Sequence, residues 1–494
     1  MSLTMTRPIS RRGMLAGMGV AAGTTIAASM FSAERALAAA MPEGWRLGFA
    51  DLESDIPPHA MQLVQGRAPA ALIGDLYRNG PANFRRPGGD ATHWFDGDGM
   101  IRRYRLDGDG AQLSARFVDT PKRRTEARAQ AMIVPGFGTA PGGGAAVGNN
   151  DDASAANTNV IPVGEDLWAL WEAGSPMKIA PDTLATRGFH TLGEGLRHMP
   201  FLAHPRIEPD GRIWNLGQAG SQAIVWRLSA NGALEAASPL ALPRASYIHD
   251  FTATARHLVI VLQPWIHTHT VFPVIDGLVW QPDLGTQVLV LEKDDLSQRR
   301  LYDLPAFSFF HLGDAWEERD GTIRFEACIE PDPTFALQGA RDVLVGRMGG
   351  GHLPTLSLIA LHGDGRGELQ STGTTGEFPR TDHRRAGLPR RFTAHTSLYQ
   401  NGTLARGVGL FDWTSGKSTV HDFGPDHMVE EFVFAAGGAD EMDGWLVGTT
   451  LNLAARATEL HAFRARDIAS GPIATWRAGH ALPLSFHGSF VAAR

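Results

Sequence analysis

Asp-Gly and Asn-Gly pairs recur along the chain, and each sits beside an apolar run. Asp210-Gly211 precedes RIWNLG, and Asn231-Gly232 separates AIVWRLS from ALEAASPL. Asp320-Gly321 precedes TIRFEACIE, Asn401-Gly402 lies between FTAHTSLYQ and TLARGVGLFDW, and Asp443-Gly444 precedes WLVGTTLN. These dipeptides suit the tight turns of β-hairpins, whose central residues need positive φ. HLVIVLQPW and QVLVLEK add two strong strands. Strands are not interleaved with helical patterns, so a Rossmann or α/β-barrel fold is excluded and an all-β fold is expected. The 57 Gly and 30 Pro are spread along the 494 residues, which also favours short strands joined by turns. So many strands must dispose of their edges. Radial repetition of four-stranded sheets, a β-propeller, does so economically, although no sharp repeat unit is readable. Two stretches break the rhythm and read as long loops or a cap. Residues 122–156 are Arg-rich and then Gly-rich, and residues 331–355 contain GRMGGGHLP.

The first 38 residues read as a targeting segment rather than as fold. Arg11 and Arg12 in SRRGML precede a weakly apolar run that ends in Ala36-Leu37-Ala38, an A-x-A cleavage pattern. SRRGML resembles a twin-arginine export signal. The expectation is a signal peptide over residues 1–38, a single domain over 39–494 and a periplasmic protein. A membrane anchor is the alternative. The run is interrupted by Gly, Thr and Ser, which suits a cleaved signal better than a permanent span.

The formal charge of -7 argues against a nucleic-acid binder. Cys328 is the only cysteine, which excludes an internal disulfide and a cysteine metal cluster. Histidine carries more information. Of 19 histidines, four share a strand-like apolar setting with a small or aromatic neighbour. They are His204 in FLAHPRI, His249 in SYIHDFT, His311 in FSFFHLGD and His487 in SFHGSF. Successive members are 45, 62 and 176 residues apart, so no short metal motif links them. The inner strand of each propeller blade faces the axis, where one imidazole from each of four blades would converge. Four imidazoles suit a borderline divalent ion such as Fe, Zn or Cu. Each histidine taken alone reads more readily as a satisfied core residue than as a ligand.

From Leu76 onward the sequence resembles the carotenoid cleavage oxygenase family. YRNGPANF (77–84), HWFDGDGMIRRYRL (93–106), AANTNV (155–160), LWALWEAGSPMKIAPDTLATRG (167–188), AHPRIEPDGRIWNLG (203–217), IHDF (248–251), FFHLGDAWEE (309–318), EFPRTDHRRAGLPRRFT (377–393), DGWLV (443–447) and SFHGSF (485–490) follow in order. The resemblance implies a seven-bladed β-propeller capped by loops and short helices. It implies a non-haem Fe(II) on the axis, held by His204, His249, His311 and His487. It implies glutamates behind the ligands, at Glu172 in LWEAG, Glu377 in EFPR and Glu431 in VEEFVF. The last departs from a common Glu-Pro pattern, because Phe432 follows and Glu430 is adjacent, so a one-residue slip stays open. Thr158 matches a position whose methyl group crowds one open coordination site; an ordinary strand residue is the alternative. FDGDGM lacks the features of a phosphate or calcium loop, and Asp96 and Asp98 read as structural.

The activity implied is Fe(II)-dependent cleavage of a conjugated double bond of a carotenoid or apocarotenoid, with O2 as co-substrate and two carbonyl products. The partner is a lipophilic polyene, and no obligatory protein partner is implied. The alternative is the lignostilbene branch, which cleaves phenolic stilbenes. Phe117 stands where that branch would have a tyrosine, and no lysine lies between Lys122 and Lys178. A ligand-binding propeller without catalysis is disfavoured by the complete set of histidines and glutamates. QPWIHTHTVFPVIDGLVW, with Trp265, Phe272, Val274, Ile275, Leu278, Val279 and Trp280, would line the substrate tunnel or form a membrane-contacting mouth, or else be a packed hairpin. The arginine clusters KRRTEAR and RTDHRRAGLPRR read as solvated surface, with anionic headgroups as the alternative.

Overall fold

The computed structural model describes residues 43–140, 144–348, 350–400 and 404–493. The predicted signal segment lies outside the described residues, as does the Asn401-Gly402 turn. All other turn pairs fall between or at the start of strands, and the fold is all-β.

HLVIVL shows why the sheets stack. In the strand His257–Leu262, Leu258, Ile260 and Leu262 pack with Trp214, Leu216 and Val225 of the preceding sheet. Val259 and Val261 point the other way and pack with Phe309, Leu312, Phe325 and Ile359 of the following sheet. A strand covered on both faces must be apolar at every position rather than at alternate ones. The same relation continues round the molecule. Trp168 and Leu170 meet Ile213 and Trp226, Tyr77 and Ile101 meet Val160 and Leu167, and Cys328 and Leu356 meet Phe411. The sheets therefore close into a propeller-like ring.

The count of seven separate blades does not hold. Four sheets of four strands stand as discrete blades, and thirteen further strands form one continuous sheet. Two junctions merge what would otherwise be separate units. Ala405 pairs with Val429, and the long strand Ile56–Gly66 pairs through its first half with Ala111–Phe117 and through its second with Ala474–Arg477. Bulged registers bend this strand enough to bridge both neighbours.

The long sheet joins the beginning of the described chain to its end. Strand His487–Ala492 pairs antiparallel with Ile73–Pro81, with His487 opposite Asn79 and Gly488 opposite Arg78. Stretches that break the strand rhythm do form a cap. They include a helix Pro121–Ala129, a π-helical turn Phe335–Gly339 that runs on into short helical turns, and the hairpin Trp265–His267 with Leu278–Trp280.

Gly488 fixes how closely the last strand approaches. A Cβ there would lie 2.2 Å from the Tyr77 carbonyl oxygen. Overpacking against rigid backbone of this kind costs about 1–3 kcal/mol. Gly488→Ala is expected to lower stability by that amount, read as a shift of the urea midpoint at unchanged m-value.

Candidate metal centre

Each of the four predicted histidines lies in, or just ahead of, the edge strand of a different sheet. His204 lies just ahead of Arg206–Ile207, and His249 just ahead of Thr252–Ala253. His311 lies within Ser308–Glu317, and His487 opens His487–Ala492. Their ring nitrogens lie within 4.8 Å of one another. The Nε2 atoms are 3.0 Å apart for His204 and His249, 3.4 Å for His249 and His311, and 3.0 Å for His311 and His487.

Three of the four Nδ1 atoms face a glutamate, and these are the three predicted glutamates. Glu172 binds His249, Glu377 binds His311, and Glu431 binds His487 at 3.0 Å. A carboxylate can only accept, so each of these Nδ1 atoms carries the proton and each Nε2 presents a lone pair inward. Lone pairs at 3.0–3.4 Å repel unless a positive charge lies among them. This donor set, with the tautomer fixed at three of its four imidazoles, thus fits a divalent transition metal. Burial, reinforced by the neighbouring imidazoles, pushes His204 well below the ordinary histidine range. Burial lowers His487 to about 3 despite Glu431. At His249, burial is outweighed by the Glu172 carboxylate and the net direction is upward.

Local bulges aim these side chains. Phe309 pairs with Ile329 and Leu312 with Ala327, so Phe310 and His311 together oppose Cys328. Val429 pairs with Thr450 and Phe432 with Gly448, so Glu430 and Glu431 together oppose Thr449. Two-against-one bulges re-aim side chains in this way. The bulge also separates the adjacent glutamates. Glu431 takes His487, whereas Glu430 accepts from the hydroxyls of Thr449 and Ser485. The possible one-residue slip is therefore resolved in favour of Glu431 as the partner of His487.

Sequence reasoning missed the groups that hold the glutamates. Arg78 Nη1 lies 2.9 Å and Arg380 Nε 2.6 Å from Glu431, and the Gly488 N–H donates to it at 2.9 Å. Burial alone would raise the Glu431 carboxyl, but Arg380, His487 and Arg78 hold it far below the usual range. The Tyr247 hydroxyl donates to Glu172 at 2.7 Å. Arg78 and Arg380 lie inside YRNGPANF and EFPR, so the signal was present in quoted motifs. Tyr247 had no signal beyond standing two residues before His249.

Beside the centre lies a cavity of about 210 Å³, whose wall includes His249, His311 and His487. Thr158 lies on this wall, and its hydroxyl donates to Asn157. Phe, Trp and Tyr supply ten residues of the wall. Phe95 packs edge-on to Phe310 at 5.8 Å and to Phe486 at 5.6 Å. Phe137 and Phe335 of the cap complete it. FDGDGM is structural as expected: Asp96 accepts from the Phe137 and Gly138 amides, and Asp98 binds Arg86, Lys122 and Arg123. Phe95 of the same motif was missed.

Some expectations are corrected. Phe117 is buried beneath the Arg123 guanidinium, 3.8 Å from its ring centre, and is not on the cavity wall. Its identity therefore says nothing about a phenolic substrate. The arginine clusters are not simply solvated. Arg390 is buried against Glu326, Arg384 binds Asp382, and Arg391 binds Asp412. The QPWIHTHTVFPVIDGLVW segment divides. Trp265, Ile275 and Leu278 are packed, Val274 lines the cavity, and Phe272 and Val279 are exposed.

Comparison with known proteins agrees with this geometry. The sequence matches the retinal pigment epithelial membrane protein family over residues 49–492. The chain belongs to this family. Among similar family members is the apocarotenoid-15,15'-oxygenase of Synechocystis, 30% identical over 480 residues, covering 91% of this chain and 96% of the relative. The carotenoid 9,10(9',10')-cleavage dioxygenase 1 of Pisum sativum is 25% identical and covers 91% of this chain and 90% of its own. The lignostilbene-alpha,beta-dioxygenase isozyme III of Sphingomonas paucimobilis is 25% identical, with 87% and 93% covered. A solved structure of cobalt-substituted Synechocystis apocarotenoid oxygenase superposes with a TM-score of 0.82 at 27% identity, covering 92% of this chain and 99% of that one.

Carboxylates behind metal-bound imidazoles set ring direction and basicity, and their loss typically weakens metal binding about 10–100-fold. Glu377→Gln is expected to fall in that range in a chelator competition. Tyr247→Phe leaves Glu172 in place and is expected to cost less in the same titration.

Proposed function

We propose that this family member is an Fe(II)-dependent dioxygenase that cleaves a conjugated double bond of an apocarotenoid or carotenoid into two carbonyl products. The observation that carries the reading is the convergence of four imidazoles, three backed by glutamate, on the wall of an aromatic cavity. His204, His249, His311 and His487 would hold the iron. Bound Fe(II) supplies a site where O2 and an electron-rich double bond meet. The reaction balances without a further reductant, because both oxygen atoms end in the two carbonyl groups.

The protein's own contribution is positional. Glu172, Glu377 and Glu431 keep the Nδ1 protons away from the centre, so the ligands stay neutral at Nε2. Phe95, Phe310, Phe335 and Phe486 offer a polyene a dry, rigid wall and exclude bulk water. Thr158 narrows the approach beside the histidines, which favours one orientation of the double bond. No lysine or arginine lies on the described cavity wall, which favours an apolar polyene over a phenolate. Exposed Phe272 and Val279, on the hairpin whose Val274 lines the cavity, support contact of the mouth with a lipid surface. The N-terminal segment is read as an export signal for the periplasm, to be checked by the mass of the exported protein after cleavage at Ala38.

The direct test is an aerobic assay of iron-loaded protein with an apocarotenal and a hydroxystilbene in parallel, products identified by mass. Cleavage of the apocarotenal alone is expected; cleavage of the stilbene alone would replace the substrate class. Chelation should abolish turnover, and added Fe(II) should restore it.

A further inference from the structure

The cavity wall carries one carboxyl group that the metal centre does not use. Glu330 ends the strand Ile323–Glu330. Along that strand Glu326, Cys328 and Glu330 alternate onto one face. Glu326 is fully compensated, by Arg390 on one oxygen and Thr393 on the other. Glu330 is 7% exposed and lines the cavity. Among the described residues no cation or hydrogen-bond donor acts on its carboxyl, and its charged neighbours are the carboxylates of Glu377 and Asp332.

A buried carboxylate without a partner is costly, and the neutral acid avoids that cost. Burial, then the charges of Glu377 and Asp332, push Glu330 well above the usual carboxylate range. The neutral acid carries an O–H donor. A buried donor left unpaired is itself unfavourable, so a group entering the cavity with an acceptor oxygen gains by meeting it. The strand Ile323–Glu330 pairs with Ser308–Glu317, which carries His311, and packs against Glu377–Arg380, so Glu330 lies on that side of the centre.

We propose that Glu330 binds an oxygen of the substrate: its carboxyl donates a hydrogen bond to an aldehyde, ketone or alcohol oxygen of the polyene on the His311–Glu377 side of the cavity. The inference rests on the proposed function and refines its substrate class. It selects oxygenated apocarotenoids over hydrocarbon carotenoids, because a site with a buried donor disfavours an analogue that lacks the acceptor.

The test uses the iron-loaded full chain without oxygen, so that binding is read apart from turnover. Trp94 and Trp171 on the cavity wall report binding through fluorescence quenching. The probes are two polyenes of equal conjugation, one ending in an aldehyde and one in a methyl group. The wild type is expected to bind the aldehyde about tenfold more tightly, the scale of one such hydrogen bond. Glu330→Leu should bind the two alike, and Glu330→Gln, which keeps an N–H donor, should retain most of the preference. Iron content of each variant shows whether the metal centre is intact. Equal binding of the two probes by the wild type overturns the proposal, as does a preference that survives in Glu330→Leu. A wild type that shows the preference but cleaves neither probe in air overturns the proposed function and supports the Glu330 contact.

Discussion

Nitrogen lone pairs aimed at one point repel one another, and much of this structure serves to hold that arrangement in place. An imidazole is free to turn about its side-chain bonds and to exchange its proton between two nitrogens. Both freedoms are removed at three of the four histidines by a glutamate behind the ring. The glutamates are in turn immobilised. Glu431 has the densest support, since two guanidinium groups and a backbone amide meet its carboxylate. Two cations and three carboxylates leave a net negative charge around the histidines, which suits a divalent cation at the centre.

The bulges matter because a regular strand sends neighbouring side chains to opposite faces. His311 and Glu431 both lie where two residues oppose one. There the backbone is bent, and the side chain reaches a direction that a regular ladder would not allow. Bulges also bend strands elsewhere, as in Ile56–Gly66, while strands such as His257–Leu262 stay regular.

Legibility in the sequence followed the range of the interaction. Turns at Asp210-Gly211 and Asn231-Gly232 are local, and the strands around them appear where the dipeptides indicate. The four histidines and three glutamates were found through motifs, since nothing in their wide spacing announces a common centre. The number of separate sheets was not legible. It depends on contacts such as Ala405 with Val429, which join strands through backbone groups that every residue carries. The choice between Glu430 and Glu431 had the same obstacle, because a bulge leaves no mark in residue type. Phe117 misled because alignment to a motif gives a position in the chain, whereas the route from that position to the cavity is set by packing.

The ligands come from the edges of four sheets, and His487 follows the other three along the chain by a long stretch that includes most of the thirteen-stranded sheet. On a ribosome, three imidazoles emerge well before the fourth. The pairing of His487–Ala492 with Ile73–Pro81 brings in the last of the four. The same hydrogen bonds that finish the fold thus also complete the set of four imidazoles.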